Sequence, residues 1–417
     1  MLDKISVQGF KSIYDIQDLE LGQVNVFIGA NGSGKSNFLE AVGILSAAID
    51  GRVNAKNILE RGVRHGNPTL YRTSLKESET SSLIKFDVQT QEKNDLYLYK
   101  LHLSHPNKDV PDNWIHQTEK IFKYGNNFWV EVDDVLETSR RLLELLTKVE
   151  KPPYDDYTRG IVFTQINDSQ SSLPPISNFH HILSNYMIFS PLTPILRGIQ
   201  SDIYQRYPLG IYGGRLAEAI NELLSFDEEM FGSMDLEDVL ELIDWVDSFD
   251  ITSPTRELLS PSVPTLQTII RFRDYWMNQE NNSLSGYDAS EGALHILFLL
   301  VLALHPHTPR LFAVDNFDQA LNPRLAQAFM ERFCEIILAS NPSKQILLTT
   351  HNPAVLNGLD LTDDRIRLFS VNRDAGTGGA TQIRRIEVSE EIIEADEKGL
   401  SLSNLWMMGV LDGVPNI

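Results

Sequence analysis

Hydrophobic and polar positions alternate with a period of two through Ile5 and Val7, up to a polar turn at Lys11-Ser12, and again through Val24, Val26 and Ile28. That spacing predicts short strands, with a further short strand between them. Phe38, Ala41, Val42, Leu45 and Ala48 then recur at helical spacing, so residues 29–36 occupy a strand-to-helix turn. Ile84, Phe86 and Val88, then Tyr97, Tyr99, Leu101 and Leu103, then Phe128, Val130 and Val132 alternate in runs separated by Asn, Pro and Gly, which predicts antiparallel strands. Helical spacing returns over residues 135–149 and stops at Pro152-Pro153, and residues 169–175 are a polar interruption. Residues 182–224 are mixed, punctuated by Pro191, Pro194 and Pro208 and by Gly210, Gly213 and Gly214.

Residues 226–250 hold ten carboxylates and no Lys or Arg, while Leu236, Val239, Leu240, Ile243 and Val246 keep helical spacing; this predicts an acidic amphipathic helix. Residues 294–304 are continuously apolar, the mark of a buried helix, and fall well short of the roughly 20 residues that span a bilayer. Two more apolar runs, Leu311-Phe312-Ala313-Val314 and Ile346-Leu347-Leu348, read as buried strands that end on Asp315 and on Thr349-Thr350-His351. Together with the strand before residue 29 they suggest a parallel sheet with its site at the carboxyl ends of the strands.

The turn itself reads Gly29-Ala30-Asn31-Gly32-Ser33-Gly34-Lys35-Ser36, with Asn37 beside it. Glycines let several backbone N–H groups converge on anionic oxygens, since no Cβ blocks close approach or positive φ. Lys35 would reach the β and γ phosphates of a nucleotide, Ser36 would ligate Mg²⁺, and the positive end of the following helix favours an anion. Asp315 has the position of an acid delivered to that metal ion by a buried strand. Ser290 and Gly292 open the 294–304 helix, where free N–H groups and a hydroxyl either bind a phosphate or cap the helix.

Composition narrows the field. With 57 acidic against 36 basic residues the formal charge is -21, which argues against nucleic-acid binding through overall electrostatic attraction. A local stripe of Arg52, Lys56, Arg61 and Arg64 reads as either a solvated loop or a local contact for phosphates. The single Cys334 excludes an intramolecular disulfide, and the first residues lack the basic and apolar regions of a signal peptide, so a cytoplasmic protein without a membrane segment is expected.

In combination, Phe10-Lys11-Ser12, residues 29–36, Ser290 to Gly292, Asp315 to Pro323 and Thr349 to Pro353 follow one family's order: the chain resembles the ABC-type AAA ATPases of the SMC, RecF and OLD kind. The resemblance implies an α/β fold, a P-loop ABC-type ATPase head with a mixed, largely parallel core sheet, an antiparallel β lobe and a helical insert. Residues 1–50 and 281–417 would form the discontinuous ATPase core, and 51–280 the β lobe with a helical lid or dimerisation insert. ATP and Mg²⁺ are the implied cofactors, and a homodimer through ATP the implied assembly. In it Ser290, preferred to Ser285 because it adjoins the helix, completes the γ-phosphate site of the facing subunit. By the same resemblance His351 contacts the γ-phosphate in its own subunit, and Gln165 or Gln200 touches the metal ion.

The family places Glu immediately after the strand's Asp; here Asn316 stands there, which can orient a water but cannot take its proton. Asp318, in a second acidic position, is the substitute, and slow hydrolysis is expected. The sequence thus supports an ATPase of low turnover or a nucleotide-gated scaffold that does not hydrolyse. Long heptads and a C-terminal nuclease are not seen, which favours a stand-alone head acting with a separately encoded effector, a nuclease or toxin, in antiphage defence. The alternative is a RecF-like DNA-binding repair ATPase using the 52–64 stripe.

Overall fold

The computed structural model describes residues 1–50, 53–76, 81–92, 94–104, 114–125, 128–131, 177–227, 229–260, 262–263, 267–387 and 400–411. The helix expected over 135–149, together with Val132, Arg52, Gln165 and the 169–175 interruption, lies outside these residues.

Two six-stranded sheets carry the fold. The first runs β2 (Ile13–Glu20), β1 (Lys4–Phe10), β4 (Leu83–Glu92), β5 (Asp95–Ser104), β6 (Ile115–Gly125) and β7 (Phe128–Glu131), antiparallel throughout. Its register aligns apolar positions: Ile5 faces Val88, which faces Tyr99, and Val7 faces Phe86, which faces Leu101. All of these are buried, so the alternation read in the sequence is the alternation between core and outer face. β6 was not anticipated, because most of its positions are polar and, among its residues of described burial, only Ile121 is buried.

The second sheet is the core: β17 (Ala380–Ile386), β16 (Ile366–Asp374), β3 (Val24–Ile28), β15 (Gln345–Thr350), β14 (Leu311–Val314) and β8 (Met187–Phe189). All neighbouring pairs are parallel except β16 with β17. β3, β14 and β15 are buried at every position, as strands covered on both faces must be. Val24, Val26, Ile28, Phe312, Val314, Ile346 and Leu348 enter one apolar cluster with the helices Glu291–Leu304 and Pro323–Ala339. Phe27, Ala313, Leu347, Phe369 and Val371 enter the other, with helix α1 (Lys35–Ile49) and the antiparallel sheet. Helix α1 thus lies between the sheets, buried at almost every position.

One expectation is overturned. Residues 226–250 are not a single acidic helix. They form the hairpin β9 (Met230–Phe231) and β10 (Met234–Asp235), the short helix Leu236–Glu241, and β11 (Val246–Thr252). Gly232 at φ 70° turns the hairpin, and the Asp235 side chain accepts from Glu237 N to start the helix. β11 pairs with β12 (Ile269–Asp274), setting Phe249 against Phe272 and Ile251 against Ile270, and β13 (Ser283–Ser285) completes this sheet. Pairing with a strand distant in the chain outweighs the local helical spacing.

The 52–64 stripe is also corrected. Arg61 is 2% exposed, and its guanidinium donates to Ser46 Oγ (2.8 Å), Asn57 O (3.0 Å) and Ser184 O (2.8 Å) while pairing with Asp50 (3.3 Å). It joins α1, the short helix α2 (Ala55–Leu59) and the helix Ser177–Ser184, so it cannot meet a nucleic-acid phosphate. Arg64 is accessible, its side chain 68% exposed, but binds Glu40 (2.6 Å). Arg61→Ala leaves buried acceptors unsatisfied and is predicted to lower unfolding free energy by about 2–4 kcal/mol, measured by urea denaturation.

Candidate nucleotide site

The parallel run β3, β15 and β14 brings three strand ends to one edge, and the candidate residues follow from them. After Ile28 the chain turns through the glycine loop into α1, with Gly32 at φ 77° and Gly34 at φ 112°. A Cβ on Gly34 would lie 2.2 Å from Thr381 Oγ1, and one on Gly29 2.1 Å from Val371 O, so these glycines are required by the approach of β16 and β17. A Cβ on Gly32 would meet nothing within 4 Å: this part of the loop faces open space.

Phe10-Lys11-Ser12 supports the loop from behind. Ser12 Oγ pairs with Thr381 Oγ1 (2.7 Å) and accepts from Asn37 Nδ2 (2.7 Å), and Thr381 Oγ1 donates to Ser33 O (2.8 Å). Lys11, whose ammonium lies over the Phe10 and Tyr71 rings, joins Arg64 in pairing with Glu40, a buried carboxylate on α1.

Lys35 Nζ is 4% exposed as a residue and donates to Gly29 O (2.7 Å) and Ala30 O (3.0 Å), with His351 Nδ1 at 3.2 Å. Burial pushes its pKa down to about 8, the carboxylates of Asp315 and Asp318 offsetting only part of the cost. His351 is lowered too, first by burial and then by the Lys35 charge, so its imidazole is neutral at pH 7. Ser33 Oγ is buried with no hydrogen-bond partner. A desolvated ammonium and an unpartnered hydroxyl beside a glycine loop suit an incoming anion.

At the end of β14, Asp315 accepts from Ser36 Oγ (2.9 and 3.1 Å to its two oxygens) and from Thr349 Oγ1 (2.5 Å). The pair of Ser36 hydroxyl and Asp315 carboxylate is an oxygen donor set suited to Mg²⁺. Among the described residues no group of three or more His, Cys, Asp or Glu could hold a metal ion, so Mg²⁺ here would complete its shell with water or ligand oxygens. Asn316 sits at φ 60°, a conformation Asn tolerates, with its N–H on Thr349 Oγ1 (2.8 Å). Phe317 is fully buried against Phe329 and Phe333, while Asp318 Oδ1 accepts from Thr350 Oγ1 (2.7 Å). Thr349 and Thr350 therefore fix both carboxylates, a role the sequence did not reveal; hydroxyls closing an apolar strand beside the site were the available signal.

Ser290 caps the helix Glu291–Leu304, accepting from Ala293 N (3.2 Å), and is exposed. Ser285 is 1% exposed and bonded to Asp288 (2.8 Å). A Cβ on Gly292 would lie 3.1 Å from Ala320 O, so the helix start packs on the loop after Asp318. No hydrogen bond among the described residues joins Ser290 to residues 29–36. Gln200 is exposed and lines a cavity with Arg197, Asp202, Glu218 and Tyr287, a lining that does not include Asp315.

Residues 1–171 match the family model described as "AAA ATPase domain", and residues 206–357 the one described as "AAA domain, putative AbiEii toxin, Type IV TA system". Over 76 residues the chain is 30% identical to the DNA double-strand break repair Rad50 ATPase of Saccharolobus solfataricus. That match covers 18% of this chain and 9% of the relative's length. Among solved structures it is similar to the SMC head domain from Thermotoga maritima (TM-score 0.44, 15% identity, 93% of this chain and 99% of that one). A second is an Smc head domain with an extended coiled coil, bound to the C-terminal domain of ScpA, derived from Pyrococcus furiosus (TM-score 0.45, 13% identity, 95% and 99%). Among the described residues no helix is long and apolar enough to cross a membrane.

Lys35 makes proton linkage testable. The unfolded chain keeps its proton to about pH 10.5 and the unliganded fold only to about 8, so this group adds stability as pH rises through that window. A bound polyphosphate favours the ammonium form. Nucleotide binding near pH 8.5 is therefore predicted to take up protons, and affinity to fall as pH rises above about 8. Calorimetry in two buffers of different ionisation enthalpy reads the uptake, which Lys35→Met removes.

Proposed function

Taking as premise that the chain is an ABC-type ATPase of the SMC, RecF and OLD kind, we propose that it binds ATP with Mg²⁺ and closes into a homodimer that gates a separately encoded effector. The observation that carries this reading is the asymmetry of the site. Lys35, Ser36, Asp315 and His351 converge at one sheet edge, whereas Ser290 faces solvent with no hydrogen bond to them. An exposed cap serine is available to a second copy, and each copy would complete the other's site.

Gly29, Asn31, Gly32, Ser33 and Gly34 hold the phosphates through backbone N–H groups, with Lys35 and His351 placed for the terminal one. Ser36 and Asp315 would hold Mg²⁺, and Asn37 is bonded to Ser12 and to Arg64. When bound, ATP supplies a terminal phosphoryl group whose charge Mg²⁺ and Lys35 neutralise. Asn316 orients a water by its amide. Asp318 Oδ2 accepts the proton, since Oδ1 is already held by Thr350. A carboxylate two positions removed from the usual base makes turnover slow. A scaffold that binds without hydrolysing is the second reading, favoured by Asn316 itself.

An effector-gating role in antiphage defence draws its support from the family description that names a putative AbiEii toxin of a type IV TA system. A DNA-binding repair role loses one of its proposed contacts with the burial of Arg61.

A steady-state assay with added Mg²⁺ tests the chemistry. Asp318→Ala is predicted to lower turnover by about tenfold or more, and Asn316→Ala by less, with nucleotide binding kept in both. Wild-type turnover no greater than that of Lys35→Ala, with binding retained, leaves the scaffold reading alone.

A further inference from the structure

A serine hydroxyl has two acceptor sites and one proton. At Ser290 both acceptor sites are taken: Ala293 N donates at 3.2 Å and the indole Nε1 of Trp245 at 3.2 Å. Indole N–H is a donor only, so Ser290 Oγ can meet it only as an acceptor. The hydroxyl proton then has one direction left, outward, and Ser290 is exposed. A cap serine bonded to the helix alone would keep a free lone pair and could present either end to an approaching group.

The indole is held in place by the sheet that leads into the helix. Its ring packs on Phe272 of β12 (centroids 5.6 Å apart), and Trp245 O accepts from the N–H of Tyr275, the residue after β12 (3.0 Å), so β12 and its end fix ring and backbone. Resting on the dimer reading above, we propose that Trp245 is a positioning residue that presets Ser290 as a hydrogen-bond donor toward the terminal phosphate of a nucleotide held by the facing copy. Trp245 itself touches no phosphate. It acts on recognition of an anion by Ser290 and not on the cradle, so its loss weakens nucleotide-driven association while nucleotide binding to the single chain stays intact.

Trp245→Phe keeps a ring against Phe272 and deletes the donor. Sedimentation velocity with a non-hydrolysable ATP analogue and Mg²⁺ reads dimerisation, and a fluorescent nucleotide read on dilute, monomeric protein reports the cradle. The expected result is a dimer dissociation constant raised about tenfold by Trp245→Phe. Cradle affinity should stay within about twofold, and Trp245→Phe should add nothing in a Ser290→Ala background. Unchanged dimerisation in Trp245→Phe overturns the role of Trp245 while leaving the dimer reading standing, as does an equal loss in the Ser290→Ala background, which marks a purely structural effect. A wild-type chain that does not dimerise with the analogue overturns the dimer reading and this inference with it.

Discussion

The carboxylate of Asp315 is the point on which the site depends. Ser36 from α1 and Thr349 from β15 both donate to it, and its own N–H is bonded to Phe189 O of β8. Three elements far apart in the chain are thus tied at one residue, two through its side chain and one through its backbone, and this holds only if β3, β15, β14 and β8 keep their parallel register. A slip of one residue would turn Asp315 into the apolar interior and Val314 out of it. The burial of β3, β14 and β15 holds that register, so core packing and the placement of Asp315 are specified by the same residues.

The site has a rigid half and an open half. The cradle is over-determined: Gly29 and Gly34 are fixed by β16 and β17, Ser12 and Thr381 bind the loop, and α1 is buried between two sheets. The helix that begins at Ser290 is also rigid, with residues 293–303 all buried, yet its first residue faces solvent. A rigid acceptor site and a rigid exposed donor on one chain form a surface suited to two-fold pairing, in which residue i of one copy meets residue j of the other and the reverse.

Much of this was legible in the sequence because it is local. The period-two run at 24–28, the apolar run at 311–314, the glycine loop and the apolar helix over 294–304 each declare themselves within a dozen residues. What escaped was non-local. Residues 226–250 present helical spacing but pair with β12, and Arg61 looks like a surface cation until Ser46 and Ser184 are seen to surround it. Thr349, Thr350 and Trp245 are bonded to Asp315, Asp318 and Ser290 through hydrogen bonds that only the tertiary arrangement creates.

The central claim is that one chain holds two half-sites, completed by a second copy. Mixing Lys35→Ala with Ser290→Arg tests it most directly. Neither variant can build a whole site with itself, but a heterodimer pairs the intact cradle of one with the intact Ser290 of the other. Analytical ultracentrifugation with ATP analogue and Mg²⁺ should show monomers for each variant alone and a dimer for the mixture. A mixture that stays monomeric while the wild type dimerises, or variants that dimerise alone as well as the wild type does, would contradict the account.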